Sequence, residues 1–413
     1  MLTRLPGRTS ARLLASGLLA AATVLLPAVS AAAAPSDSVR QQQQWVLGML
    51  DVPAAWSLSE GANVTVAVID SGVDPHVSDL TNSVISGPDY TGLSTSPSNP
   101  NWGMHGTWMA SIIAGHGDDG GGDGIIGVAP KAKILSIRVI PDTTDPGYKK
   151  YDGEQESKIQ DELAEGIREA VRRHAQVISM SIGYSAPSGV VRAALQYAYS
   201  KGIVLVASSG NSGNNDEHHV RSSDRNWAPV SFPAEYPGVL SVGAVTMARQ
   251  PASFSSGNLS VKVAAPGDAV PAQGRNGEYY TVKGTSPACA LVAGVAALIK
   301  SEYPKITPAQ VMDALTTTAH QPLSDGSYNV LTGFGIVDAD AALIEAGKLM
   351  HEHPAGSRVP LSAHFGGGPA AIPAAPVGPR GPGQLVVFIV LALLSAAALV
   401  GGIAVLRRRP DHG

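Results

Sequence analysis

Strand-forming and helix-forming segments alternate along the middle of this 413-residue chain, and this alternation constrains its fold more than any other feature. Residues 64–69 are a continuous run of mostly β-branched residues that ends at Asp70, as is typical of a buried parallel strand. Alternation at this spacing predicts right-handed crossovers and a parallel sheet covered by helices on both faces, an α/β fold. The predicted strands are 64–69, 134–140, 177–182, 203–207, 239–245 and 261–264, and the predicted helices include 162–174 and 190–201.

Polar groups follow several of these strands. Asp70 ends the first, Ser181, Ile182 and Gly183 lie at the end of another, and Asn211 comes just after a third. Functional groups in parallel sheets gather where the carboxyl ends of the strands meet. The placement predicts a single active cleft at that edge.

Composition excludes some functions. Charged residues make up 15% of the chain and the net charge is -4, without the basic stripe of a nucleic-acid-binding protein, so we expect no nucleic-acid partner. The single cysteine, Cys289, cannot form an internal disulfide. We interpret it as a packing residue rather than a nucleophile.

The amino terminus has the three parts of a secretory signal peptide. Arg4, Arg8 and Arg12 precede an apolar run at 13–29, and four alanines follow at 31–34. We therefore predict a signal peptide at residues 1–34. The alternative is an amino-terminal membrane anchor, for which the apolar run is short.

The carboxyl terminus predicts a membrane anchor. Residues 385–406 carry no charge and precede Arg407, Arg408 and Arg409. A helix of this length spans a bilayer, and the arginines place the tail 407–413 in the cytoplasm. A buried core helix is the alternative, but no domain follows it. The Pro- and Gly-rich residues 351–384 are predicted to be an extended linker.

Three short segments carry the residue types of nucleophilic catalysis. Asp70 lies in Val-Ile-Asp-Ser-Gly, His105 in His-Gly-Thr, and Ser286 in Gly-Thr-Ser-Pro-Ala. Taken separately, they could be a turn residue, a polar group at a helix terminus and a helix N-cap. Together they supply an acid, a base and a nucleophile.

These segments resemble the three signature blocks of the subtilisin family of serine peptidases, in the same order. The resemblance covers about residues 45–346 and implies a subtilisin-like three-layer fold with a mainly parallel sheet. It also implies peptide hydrolysis through an acyl-enzyme. Ser286 would attack the carbonyl, His105 would accept the proton, and Asp70 would orient His105, without any metal or other cofactor.

Two further segments are similar to blocks of the same family. The segment around Asn211 resembles the oxyanion loop and implies that Asn211 donates to the oxyanion; alternatively it is an ordinary Asn-Gly turn. Ser181, Ile182 and Gly183 resemble the strand that pairs with an extended peptide substrate, or they form a plain core strand.

The chain departs from the family pattern near its motifs. Ala290 stands where the serine block usually has proline, and Met109 and Ser111 differ from the usual residues after the histidine. These departures leave a weakened enzyme as an alternative to a fully active one.

The arrangement of segments resembles the mycosins, membrane-anchored subtilisin-like proteases of actinobacterial type VII secretion. A short extension at 35–60 precedes a peptidase domain at 61–350, leaving no room for a folded prodomain. The lack of a disulfide pair departs from mycosins. The resemblance implies an extracytoplasmic catalytic domain that acts on polypeptides and is associated with a secretion membrane complex. The alternative function is a structural stabiliser of that complex with weak or no proteolysis.

Other polar segments receive no functional role. Asp118, Asp119 and Asp123 match no calcium-ligand spacing and are interpreted as a solvated loop. His218 and His219 are interpreted as surface residues. Residues 141–158 are predicted to be an exposed insertion near the cleft.

Overall fold

The fold is built of parallel strands and the helices that cover them. The computed structural model describes residues 3–4, 38–118, 123–152, 156–213, 228, 230–321 and 328–352. The strands in these residues are β1 (Thr3–Arg4), β2 (Thr65–Asp70), β3 (Val84–Asp89), β4 (Lys133–Arg138), β5 (Val177–Met180), β6 (Val204–Ser208), β7 (Val239–Val245), β8 (Val261–Pro266), β9 (Val270–Gln273) and β10 (Tyr279–Val282). The α-helices are α1 (Val39–Met49), α2 (Val52–Ala55), α3 (Met104–Ala114), α4 (Tyr148–Asp152), α5 (Glu156–Arg172), α6 (Gly189–Ser200), α7 (Thr285–Glu302), α8 (Pro308–Thr317) and α9 (Ala339–Glu352).

The main sheet has seven strands within the described residues, in the order β3-β4-β2-β5-β6-β7-β8. Neighbouring strands are parallel throughout, and Ile69 of β2 pairs with Ile137 of β4 and Met180 of β5. This topology confirms the predicted α/β fold with a parallel sheet. A second, antiparallel sheet of order β1-β10-β9 was not predicted, because its short strands carry little periodic signal.

Alternate residues of the central strands supply two separate cores. Val66 and Val68 of β2 pack in one cluster with α3 and α7, whereas Ala67 and Ile69 pack in another with α5 and α6. The residues of each strand therefore point alternately to opposite faces. Helix α7 is buried along its first sixteen residues, 285–300, so it lies inside the molecule rather than on its surface.

Several predicted boundaries are displaced. Strand β2 includes Asp70 itself, because Asp70 pairs with Arg138 in the β2–β4 ladder. Helix α5 begins at Glu156, six residues before the predicted start at residue 162. Its first turn is mainly polar, so the apolar periodicity that predicts a helix begins only after it.

The segment 141–158 is not uniformly exposed as predicted, because exposed residues such as Thr143 and Lys149 alternate with the buried Asp145 and Tyr151. Asp145 is buried, and its Oδ2 accepts a hydrogen bond of 2.8 Å from Nη2 of the buried Arg138. The buried Tyr151 donates its hydroxyl hydrogen to the carbonyl of Val139 at 2.8 Å. These bonds fasten the segment to the end of β4.

In the described part of the chain, no helix combines the length and the apolar character needed to cross a membrane. The predicted span 385–406 lies outside the described residues, as do the tail 407–413, nearly all of the signal peptide and of the linker, and both His218 and His219. Helix α9 extends to Glu352.

The amino-terminal extension is bound to an acidic loop through helix α1. Arg40 donates from Nε to the carbonyl of Gly124 at 2.9 Å and from Nη2 to the carbonyl of Asp123 at 3.2 Å. Gln43 exchanges two hydrogen bonds with the backbone of Ile126. Asp123 is therefore part of a contact with the extension, rather than only a solvated loop residue.

Replacing Arg40 with methionine should destabilise the protein. The variant keeps the apolar stem but loses both hydrogen bonds to carbonyls, so the free energy of unfolding should fall by about 1–2 kcal/mol. Urea unfolding of the purified protein measures this difference. Lys131→Met, which removes an ion pair between two exposed side chains, Lys131 and Glu60, is the control and should cost less than about 0.5 kcal/mol. Equal losses in the two variants would contradict a specific role for Arg40.

Candidate active site

Asp70 is the buried acidic group at the carboxyl end of β2. It is 1% exposed, and its Oδ1 accepts hydrogen bonds from the backbone N–H of Ser71 at 2.7 Å and from Nδ1 of His105 at 2.8 Å. Its Oδ2 is buried and has no hydrogen-bond partner among the described residues. Such a carboxylate is held in one orientation by its strand and directs its charge at the imidazole.

His105 is the second residue of α3, and glycines allow this helix to approach the loop after β2. A Cβ at Gly106 would lie 2.1 Å from the carbonyl oxygen of Gly72, and one at Gly103 would lie 3.0 Å from the same backbone. Gly103 also has a φ of 70°, which favours glycine. Side chains at these positions would push α3 away and lengthen the Asp70–His105 contact.

Two carboxylates act on the imidazole. Burial lowers the pKa of His105, but the charge and hydrogen bond of Asp70 and the charge of Asp142 outweigh burial and raise the pKa to about 9. The ring of Trp108, one helical turn later, makes an edge contact with the imidazole at 6.1 Å between centroids. The imidazolium is therefore stabilised on one side by charge and packed on another by an aromatic ring.

Ser286 lies in the first turn of the buried helix α7. The residue before this helix, Gly284, has a φ of 149°, and Ser286 itself is 9% exposed. The carbonyl of Ser286 accepts a hydrogen bond from the hydroxyl of Ser181 at 3.3 Å. The amide groups at this helix end favour negative charge that develops beside Ser286.

Asn211 is fastened to the residue before Ser286. Its Oδ1 accepts hydrogen bonds from the backbone N–H of Thr285 at 2.8 Å and from the Thr285 hydroxyl at 2.9 Å. Because the oxygen is engaged by these two donors, the side-chain NH₂ is the part that can donate to an external acceptor.

The sheet order brings these groups to one edge. Asp70 ends β2, and Ser181 and Asn211 follow β5 and β6, which come next in the sheet. The three residues therefore lie at one edge of the sheet, the edge that the sequence predicts. Among the described residues, His105 is hydrogen-bonded to Asp70 but not to Ser286. Catalytic hydrogen bonds are often long before substrate binds.

Ser111, Met109 and Ala290, the three departures from the family pattern, have structural roles. The Ser111 hydroxyl donates to the carbonyl of Trp108 at 2.8 Å and accepts from the backbone N–H of Gln273 at 3.0 Å, joining α3 to β9. Met109 and Ala290 are buried in the core. Sequence reasoning missed three other contributors, Ser71, Asp142 and Thr285, because each acts through a hydrogen bond to a distant element.

The buried thiol is not suited to nucleophilic attack. Burial raises the pKa of Cys289 to about 11, so the thiol stays protonated, and Sγ packs against the Ser179 hydroxyl at 3.7 Å. In the ranges that the structure describes, no cluster of three or more His, Cys, Asp or Glu side chains could hold a metal ion.

Comparisons with known proteins agree on one family. Residues 61–336 match the Subtilase family of peptidases. Subtilisin from Bacillus pumilus is 34% identical over 303 residues, covering 73% of this chain and 99% of its own. Mycosin-3 from Mycobacterium tuberculosis is 35% identical over 333 residues, covering 71% of this chain and 70% of its own.

A solved structure gives the same result. The MycP3 protease from the type VII (ESX-3) secretion system is 34% identical, with a TM-score of 0.58, and the alignment covers 72% of this chain and 87% of that one. The resemblance to subtilisins, inferred from the motifs, and to mycosins, inferred from the arrangement of segments, is confirmed. The chain is a serine endopeptidase that belongs to the subtilase family and has the subtilisin-like α/β fold.

Proposed function

We propose that Asp70, His105 and Ser286 are the catalytic triad of this endopeptidase. The observation that carries this assignment is the 2.8 Å hydrogen bond between His105 Nδ1 and the buried carboxylate of Asp70. Since Nδ1 is held by Asp70, the other ring nitrogen, Nε2, is the one that serves the nucleophile. The position of Ser286 in the first turn of α7 supports its role as that nucleophile.

The reaction follows from these positions. Nε2 of neutral His105 takes the proton of the Ser286 hydroxyl as the oxygen attacks the scissile carbonyl. Asp70 stabilises the imidazolium that forms, which then protonates the leaving amine. Water attacks the acyl-enzyme in the second half, with the same proton transfers, and releases the carboxyl product.

Asn211 and the residues after β5 have roles in holding the substrate. Because the side-chain oxygen of Asn211 is bound by Thr285, the Asn211 NH₂ is left to donate to the oxyanion. The backbone N–H of Ser286 is the second donor. Ser181, Ile182 and Gly183 continue the line of β5 beyond its last paired residue, Met180. They are the backbone on which an extended peptide would pair as an added strand.

The enzyme acts outside the cytoplasmic membrane in this proposal. The segments are a signal peptide at 1–34, an extension at 35–60, the peptidase domain at 61–350, a linker at 351–384, a membrane span at 385–406 and a cytoplasmic tail at 407–413. Likeness to MycP3, a protease of a type VII secretion system, supports a role with exported polypeptides and a secretion membrane complex.

Labelling with a fluorophosphonate probe tests the nucleophile. We expect the full-length protein to be labelled and Ser286→Ala to lose all labelling, because only the activated hydroxyl attacks the probe. Ser212→Ala, an exposed serine beside Asn211, is the control and should be labelled normally. A wild-type protein that stays unlabelled beside an active subtilisin, or a labelled Ser286→Ala, would contradict the assignment and favour the structural role.

The rate of labelling should increase with pH. The base must be neutral, and the pKa of His105 is raised to about 9, so the neutral fraction is small at pH 7. Below the pKa the rate should rise about tenfold per pH unit, and it should level off above pH 9. Second-order labelling rates from pH 6 to 10 give this profile. A plateau that is already reached at pH 7 would contradict the prediction.

Replacing Asn211 with leucine should slow turnover without weakening substrate binding. Leucine is of similar size but has no N–H, so the oxyanion loses one donor. We expect kcat to fall about 10²–10³-fold while KM changes little. Peptide hydrolysis at saturating and limiting substrate separates the two constants. A rise in KM with kcat preserved would show that Asn211 binds the ground state instead.

A further inference from the structure

The helix that carries His105 has no cap of its own. A helix leaves four amide groups at its amino end without partners inside the helix, and the preceding side chain usually accepts from one of them. Here that residue is Gly103, and its Cβ position lies 3.0 Å from the backbone of Gly72, which leaves no room for a capping side chain. The amide groups must therefore find acceptors elsewhere.

The amide groups of the first three helical residues have acceptors outside the helix, and the N–H of Thr107 makes the first bond within it, to the carbonyl of Gly103 at 3.1 Å. The N–H of Gly106 donates to the hydroxyl of Ser71 at 3.0 Å. The remaining two donate to one carboxylate: Met104 N–H to Oδ2 of Asp142 at 2.8 Å, and His105 N–H to Oδ1 of Asp142 at 2.9 Å. Asp142 thus binds the backbone of His105 itself.

The position of Asp142 is fixed by the segment that carries it. The carbonyl of Asp142 accepts from the backbone N–H of Asp145 at 2.9 Å. The carboxylate of Asp145 is bound in turn by Arg138, which pairs with Asp70 in the sheet. The same strand pair therefore determines where the carboxylates of Asp70 and Asp142 lie.

The charges around His105 single out Asp142. Asp70 acts on the imidazole from β2 and Asp142 from the segment after β4, and these are the two charges that raise the pKa of His105. Two more charged groups of the neighbouring elements are already paired. These are Arg138 of β4, bound to Asp89 and Asp145, and Asp74, bound to Arg275.

The pKa of Asp142 also depends on its neighbours. Burial raises the pKa of Asp142, although the amide bonds from His105 and Met104 and the charge of His105 act in the opposite direction. The negative charge of Asp142 and the positive charge of the His105 imidazolium therefore stabilise each other.

We propose that Asp142 is a positioning residue for the general base: it holds the first turn of α3 and adds a second negative charge beside the imidazole of His105. This role rests on the proposed function of His105 as general base. Asp142 does not contact the reacting atoms. It acts by fixing the backbone of His105 and by favouring the charged imidazole that forms during acylation.

Two substitutions separate charge from geometry. Asp142→Asn removes the charge but keeps one oxygen acceptor, so the midpoint of the labelling-rate profile should move to lower pH by about half a unit or more. Asp142→Glu keeps the charge but displaces the carboxylate, so the midpoint should stay near that of the wild type while the plateau rate falls. Asp313→Asn, an exposed aspartate on α8, is the charge-matched control and should leave both unchanged.

A separate measurement follows the imidazole without relying on activity. In the Ser286→Ala background, NMR titration of His105 should give a lower midpoint when Asp142→Asn is added. An unchanged midpoint by NMR, or a shift of equal size in Asp313→Asn, would overturn the role of Asp142. Absence of labelling in the wild type with a lower midpoint by NMR would overturn the proposed function while keeping the coupling between Asp142 and His105.

Discussion

The hydrogen bond between His105 and Asp70 is the interaction on which the rest of the site depends. It joins the end of a central strand to the first turn of a helix, two elements separated by 35 residues of chain. The contact is possible because Gly103 and Gly106 let the two backbones approach closely. Gly103 also leaves the helix without a capping side chain, so acceptors from other elements must bind its amide groups.

The parallel sheet converts this local contact into an active site. Because β2, β5 and β6 are consecutive, their carboxyl ends bring Asp70, the segment 181–183 and Asn211 to one edge. Helix α7 passes through the core and has Ser286 in its first turn at the same edge, where Ser181 binds the carbonyl of Ser286 and Asn211 binds Thr285. Burial of this helix fixes Ser286, the proposed nucleophile, without a disulfide, since the fold rests on two packed cores.

Much of this arrangement could be predicted from the sequence. The β-branched runs indicated the central strands, and the order of the three motifs indicated the chemistry, because both signals are local in sequence. Asp142 could not be found in this way, since its partner His105 lies 37 residues earlier and only the fold brings them together. The β9–β10 hairpin and the buried Asp145 were missed for related reasons: one is too short to show periodicity, and the other is polar yet paired with Arg138.

The most direct test of the catalytic assignment is a crystal structure of the fluorophosphonate adduct. We expect the phosphorus to be bonded to the Ser286 oxygen. One phosphoryl oxygen should lie about 2.7–3.1 Å from both the Asn211 amide nitrogen and the Ser286 backbone nitrogen. Nε2 of His105 should face the Ser286 oxygen, with Nδ1 still bound to Asp70. An adduct on another residue, or a phosphoryl oxygen directed away from Asn211, would contradict the account.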